Sequence, residues 1–304
     1  MGTVHSCFRR ALNLSTSCGR LIALATNDVP VAPNSMVTTL EASTGWLALG
    51  IRPGDAVRLA GDPENVIIHF PSRAVSVALN PHSIYYPFIQ LSKPIAISTP
   101  TIFPMLHLAL ESAMGCDVHE GFYPLLAFTG QLLADLGAQA HSPPQALNYL
   151  CRQAYSAMSG LLAAIRWNDT EAANSSAKGL IGLGPGLTPS GDDAITGLLV
   201  SLALTLKAYN LHALVTHPSE GIGSLILYIA DHGTNVISQE LLWYAARGEA
   251  SSSTEAVILD ILSGSANSVR ESTRKLISQG ASSGVDQLWG ILLGIPLAFD
   301  IIAG

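Results

Sequence analysis

The sequence predicts an α+β protein, with a small β-barrel or sandwich-like domain over residues 1–98 and a mainly α-helical domain over residues 99–304. Three observations predict it. Up to about residue 98, short runs rich in Val, Ile and Leu alternate with turn clusters. From about residue 100, long segments carry apolar residues at helical spacing. No strand pattern returns beyond that point, so a βαβ wind is not expected.

In the first domain the opening dozen residues fit an entry strand or a short helix equally. GRLIALAT, SMVTTL, VIIHF, AVSVAL and PFIQL read as strands, separated by TNDVPVAPN, RPGD and GDPEN. GIRPGDAVRLAGDPENVIIHF reads as two strands joined by a short polar loop. Helices are expected in PMLHLALESAM, FYPLLAFTGQLLADLGA, QALNYLCRQAYSAMSGLLAAI and DDAITGLLVSLALTLKAY. Three more are expected in VISQELLWYAARG, STEAVILDILSG and VDQLWGILLGIPLAFDII.

Charged residues make up 12% of the chain and its mean hydropathy is +0.37. A typical soluble domain has roughly 25% charged residues, so much of this surface must be hidden. Large buried helices, an oligomer or a partner subunit would hide it. A membrane span is not expected, because the apolar runs ending at Leu206 and Phe299 reach only about a dozen residues of the roughly 20 required. A net charge of −7 argues against a nucleic-acid partner, which calls for a basic patch. Cys7, Cys18, Cys116 and Cys151 are widely spaced, which fits reduced thiols and a cytoplasmic location. No apolar leader core follows Arg9, Arg10 and Arg20, so the chain is expected to be unprocessed.

The most unusual stretch is GLGPGLTPSGDDAITGLLV, residues 182–200. An echo follows 93 residues later, where Ser190, Gly191, Asp193 and Gly197 fall on Ser283, Gly284, Asp286 and Gly290. A helix cap is the plain reading of both copies, since S-x-x-D is close to a capping box. The first copy carries more than a cap needs. Gly182, Gly184 and Gly186 let backbone approach a ligand and turn its amides outward, and a helix N-terminus favours an anion. Asp192 and Asp193 leave the helix on different faces, so one can cap while the other serves as a base, a substrate acceptor or a ligand for Mg²⁺. The phosphate motifs G-x-x-x-x-G-K-[ST] and G-x-G-x-x-G are not met.

Thr234 and Ser238 share a helix face beside Asn235, and fit either a polar wall of a site or hydroxyls bonded to their own helix. His232 fits a surface or cap position, and the other histidines lack metal-ligand spacing. Arg9 and Arg10 fit a solvated pair better than a carboxylate clamp.

GLGPGLTPSGDDAITGLL, then T-x-x-x-S with Y-A-A-R-G over Thr234 to Gly248, then GASSGVDQLWGILLG resemble the AllH-type family. FRRALNL, GRLIAL and PNS at Pro33 to Ser35 resemble that family's start. Its members were long grouped as a domain of unknown function, and one is a subunit of oxamate carbamoyltransferase. That enzyme, in anaerobic allantoin breakdown, phosphorolyses oxalurate to oxamate and carbamoyl phosphate and works with two larger subunits. Gly184, Gly186, Thr188, Pro189, Ser190, Asp192 and Asp193 fit the family motif, as do Ser283, Gly284 and Asp286.

The resemblance implies a carbamoyltransferase subunit with larger partners or a homo-oligomer around it. Asp192, Asp193 and Asp286 are the expected catalytic residues. Gly184, Gly186, Thr188, Ser190, Gly191, Ser283, Gly284, Thr234 and Ser238 are the expected set around a small anionic substrate. A second reading is a stand-alone hydrolase in which the three aspartates hold Mg²⁺; a third is a non-catalytic binding subunit. The sequence itself requires no cofactor.

Overall fold

The computed structural model describes residues 2–62, 66–79, 99–134, 142–209 and 221–303. Contacts divide the chain into two compact units, Met1–Ile89 and Gln90–Gly304. The expected strand PFIQL lies outside the described residues.

The first unit is a seven-stranded sheet curled into a half-barrel, in the order β4-β3-β2-β1-β5-β6-β7. Its strands are β1 (Gly2–Cys7), β2 (Ala11–Thr16), β3 (Leu21–Ala25), β4 (Ser35–Val37), β5 (Ala56–Ala60), β6 (Ile67–Phe70) and β7 (Val75–Ala78). The opening residues are thus a strand, paired with β2 across a bulge between Val4 and Ser6. All pairings are antiparallel except β3 with β4, which is parallel. Alternation places Leu12, Leu14, Leu24, Ile68 and Phe70 inside, around the buried Trp46. Arg9 and Arg10 are spent within this unit: Arg9 Nε donates to the Ala42 carbonyl, and Arg10 pairs with Asp28 at 2.6 Å on the surface.

The second unit is helical: α1 (Thr99–Met114), α2 (Tyr123–Leu126), α3 (Thr129–Ala134), α4 (Tyr149–Trp167), α5 (Thr170–Leu180) and α6 (Ser190–Ala208), then α7 (Ile222–Gly233), α8 (Val236–Ala245), α9 (Ser252–Ser263), α10 (Ala266–Ile277) and α11 (Ser283–Ala303). Local chemistry sets several boundaries. Asn148 caps α4 by accepting from the Cys151 amide, Asp169 caps α5, and Ser251 caps α9. Left-handed Asn168 ends α4 and left-handed Gly264 ends α9. The described part of FYPLLAFTGQLLADLGA, up to Ala134, forms two short helices rather than one, and α5, α7 and α10 arise outside the expected segments.

α6 and α11 form the centre of this unit. Every residue of α6 except Lys207 is buried, as is α11 from Gly284 to Ala298 apart from Gln287. Helices buried on all sides account for the low charge content. By length and composition α11 is apolar enough to cross a membrane, yet 72% of its apolar window is buried inside the unit, as in the core helix of a globular domain.

Candidate functional site

α6 and α11 run parallel and approach each other backbone to backbone at Gly197 and Gly290. A β-carbon on Gly197 would lie 2.0 Å from the Gln287 carbonyl oxygen, and one on Gly290 would lie 2.0 Å from that of Ala194. Gln287 and Ala194 are themselves 93 residues apart, as are Gly290 and Gly197, so each copy of the motif packs its glycine on the same point of the other. Further along, Gly294 meets Ser201, again its counterpart. The pattern is an approximate two-fold relation between the two helices. It brings both S-G-x-D turns to one end of the pair.

There the two copies exchange partners. The Ser190 hydroxyl of the first turn faces Asp286, and the Ser283 hydroxyl of the second faces Asp193. Thr188 and Ser283 hydroxyls are 2.8 Å apart, joining the two loops directly. Asp193 Oδ1 accepts from Gln287 Nε2 at 3.0 Å, and Asp286 Oδ1 accepts from the Phe122 amide at 2.7 Å. The remaining oxygen of each, Oδ2, is buried and has no hydrogen-bond partner. Such an orphan is costly in a protein interior.

Neither turn is a capping box. The N-cap of α6 is Pro189, with no side-chain bond, and the Asp192 and Asp193 amides both donate to its carbonyl. Asp286 reaches a backbone amide 164 residues away instead of its own helix end.

Asp192 plays a different part from its neighbour. Its Oδ1 accepts from the Gly182 amide at 2.8 Å and its Oδ2 from Thr234 Oγ1 at 2.5 Å. Asp192 therefore ties the start of the glycine-rich loop to Thr234, which ends α7 just ahead of α8. Asn235 and Ser238 hold the other side, donating to the Leu187 carbonyl at 2.8 and 3.5 Å. Thr234 and Ser238 are thus a clamp on the loop. Asn235, singled out only as their neighbour, is the stronger part of it, since its Oδ1 also caps α8. Replacing Asn235 with Ala is expected to lower stability by about 0.5–2 kcal/mol, the range for a lost cap. Chemical denaturation checks this, and an unchanged midpoint would refute the clamp.

The amide of Gly182, expected to point outward, points to Asp192. Gly191 and Gly284, grouped from sequence with the anion-binding set, are packing glycines. A β-carbon on either would lie 1.9 Å from a carbonyl, that of Leu180 or Leu276, and their amides donate to Leu183 and Gln279. Gly184 and Gly186 have φ of +115° and +99°, a backbone open to glycine and little else. Among the described residues the amides of Gly184, Gly186 and Leu187 have no hydrogen-bond partner, and Pro185, Gly186 and Leu187 are exposed.

Burial pushes the Asp193 carboxyl up to about 8, with the Asp286 charge adding to it and the Ser283, Gln287 and Thr188 groups opposing. Burial likewise raises Asp286 to about 6, against the Phe122 amide and the Ser190 and Ser282 hydroxyls. Both sit at helix N-termini, which favour the charged form, but desolvation is the larger effect. Cys151 lies next to this carboxylate, its thiol raised to about 11 by burial and by Asp286, so it is a packed thiol rather than a nucleophile. A carboxyl raised in the folded state keeps a proton that the unfolded chain has released. Stability is therefore expected to fall as pH rises from about 3.8 to about 8. Thermal melts across that window check it, with Asp193→Asn flattening the slope; a rising stability would overturn the assignment.

No group of three His, Cys, Asp or Glu able to hold a metal gathers among the described residues. With Asp192 engaged by Gly182 and Thr234, the three-aspartate metal site expected of a hydrolase is not assembled. Sequence reasoning had no means to find Gly121 and Phe122. Gly121 lies so close that a β-carbon there would be 2.5 Å from Asp286 Oδ1.

Residues 180–295 match the family described as oxamate carbamoyltransferase subunit AllH, and residues 1–83 match the AllH family N-terminal domain. No curated protein and no solved structure matches the chain.

Proposed function

Because this chain belongs to the AllH family, we propose that it is a subunit of an oxamate carbamoyltransferase-like enzyme, with the paired aspartates as its chemical centre. The reaction is phosphorolysis of oxalurate. A phosphate oxygen bonds to the carbamoyl carbon, the bond from that carbon to the oxamate nitrogen breaks, and the nitrogen takes a proton. Asp193 supplies that proton and Asp286 accepts from the substrate N–H. The observation that carries this reading is the meeting of the two S-G-x-D turns, which leaves one unpartnered oxygen on each aspartate. Two neighbouring carboxyls with separated proton affinities, about 8 and about 6, suit a division into acid and base.

The free amides of Gly184, Gly186 and Leu187 hold the phosphate or the substrate carboxylate, a role that fits their glycine conformations and solvent exposure. The Thr188, Ser190 and Ser283 hydroxyls position the two acids. Larger partner subunits complete the assembly, in line with the family's description as a subunit. Four free thiols fit a cytoplasmic setting.

Co-expression with the larger subunits, followed by an assay of carbamoyl phosphate formed from oxalurate and phosphate, tests the proposal. Activity that requires this chain supports it. An assembly equally active without the chain, or no association at all, would sink it.

A further inference from the structure

A cleft of about 740 Å³ opens on α4, lined by α4, by Ser175 and Ser176 of α5, and by Pro143 and Leu147 on the approach to α4. It is open to solvent, with Arg152, Gln153, Ser156 and Ser175 exposed along it. α4 turns Tyr149, Arg152, Gln153 and Ser156 into it, spaced by three, four and seven residues so that they share one helix face. None of these side chains, nor Ser175 or Ser176, makes a hydrogen bond or ion pair with another described residue. Among the described residues Arg152 has no acidic partner, and hydroxyls and a carboxamide share the cleft with it. Tyr149 is 81% exposed, its ring standing at the rim.

We propose that this cleft is a second ligand site, which binds a small oxyanion carrying further hydroxyl or carbonyl groups. Arg152 pairs with the anion through its planar fork. Gln153, Ser156, Ser175 and Ser176 bond to the remaining oxygens, and Tyr149 covers the open side. None of its lining residues belongs to the motif turns, so the proposal stands apart from the carbamoyltransferase reading.

Calorimetric titration of the full chain with malate and with ribose 5-phosphate tests it and separates a carboxylate from a phosphate source, with sulfate as the control for a bare anion. Binding of either probe more tightly than sulfate is expected. Arg152→Ala should weaken it at least tenfold, Ser156→Trp should abolish it by filling the cleft, and Asp193→Asn should leave it unchanged. Binding no tighter than sulfate, or equal affinity in Arg152→Ala, would overturn the proposal.

Discussion

Asp193→Asn in the assembled enzyme is expected to lower kcat for carbamoyl phosphate formation by about 10²–10⁴-fold, the range for loss of a proton donor. KM should change little. Asn keeps the shape and the Oδ1 that accepts from Gln287, so the anchoring bond survives while the proton is removed. A neutral side chain in this fully buried place also removes the cost of a buried acid, so the variant should be no less stable than the parent above neutral pH. That combination separates chemistry from folding. Steady-state rates beside thermal melts supply the measurement. A variant within about twofold of the parent in kcat would remove Asp193 from the reaction.

Gly197→Val and Gly290→Val are expected to be the most damaging single substitutions for stability. At each, the first added carbon meets a backbone carbonyl of the opposing central helix at 2.0 Å, and neither neighbour is a side chain that can swing aside. The helices must move apart along much of their length. Overpacking alone costs about 1–3 kcal/mol. Here separation also strips contacts from the two most buried helices, so the loss should reach the upper end or exceed it. Against a total stability of about 5–15 kcal/mol, the melting temperature should fall by about 2–4 °C for each kcal/mol lost. Gly130→Ala is the control, because nothing lies within 4 Å of its added carbon and its helix is short and peripheral. Parent-like melting of Gly197→Val would show that α6 and α11 do not meet as described.

The two-unit character of the chain is legible because strand alternation and helical spacing leave different residue patterns. VIIHF and AVSVAL become β6 and β7 with little change. α10 escapes because its buried stripe includes Ser272 and Thr273, so hydroxyls occupy positions where apolar residues are expected. α5 escapes for a similar reason, its buried face being mostly alanine. At the site, the 93-residue echo is visible in the sequence, but its meaning is not. Repetition alone cannot show that two turns converge, nor that Ser190 serves Asp286 and Ser283 serves Asp193. Asp192 and Asp193 are adjacent letters with opposite fates, which only the turn of the helix decides. The Phe122 amide that satisfies Asp286 comes from a segment with no motif of its own.

The exchange of partners between the two turns has the form of a symmetric dimer interface, contained within one chain. In such an interface residue i meets j wherever j meets i, as Gly197 with Gln287 and Gly290 with Ala194 do here. One consequence is that neither half owns its own acid. A change in the first turn acts on the carboxyl of the second, and the reverse. Substitutions at Ser190 and Ser283, though 93 positions apart in sequence, are therefore bound to one another in effect, and a change tolerated in one half has to be tolerated by its twin.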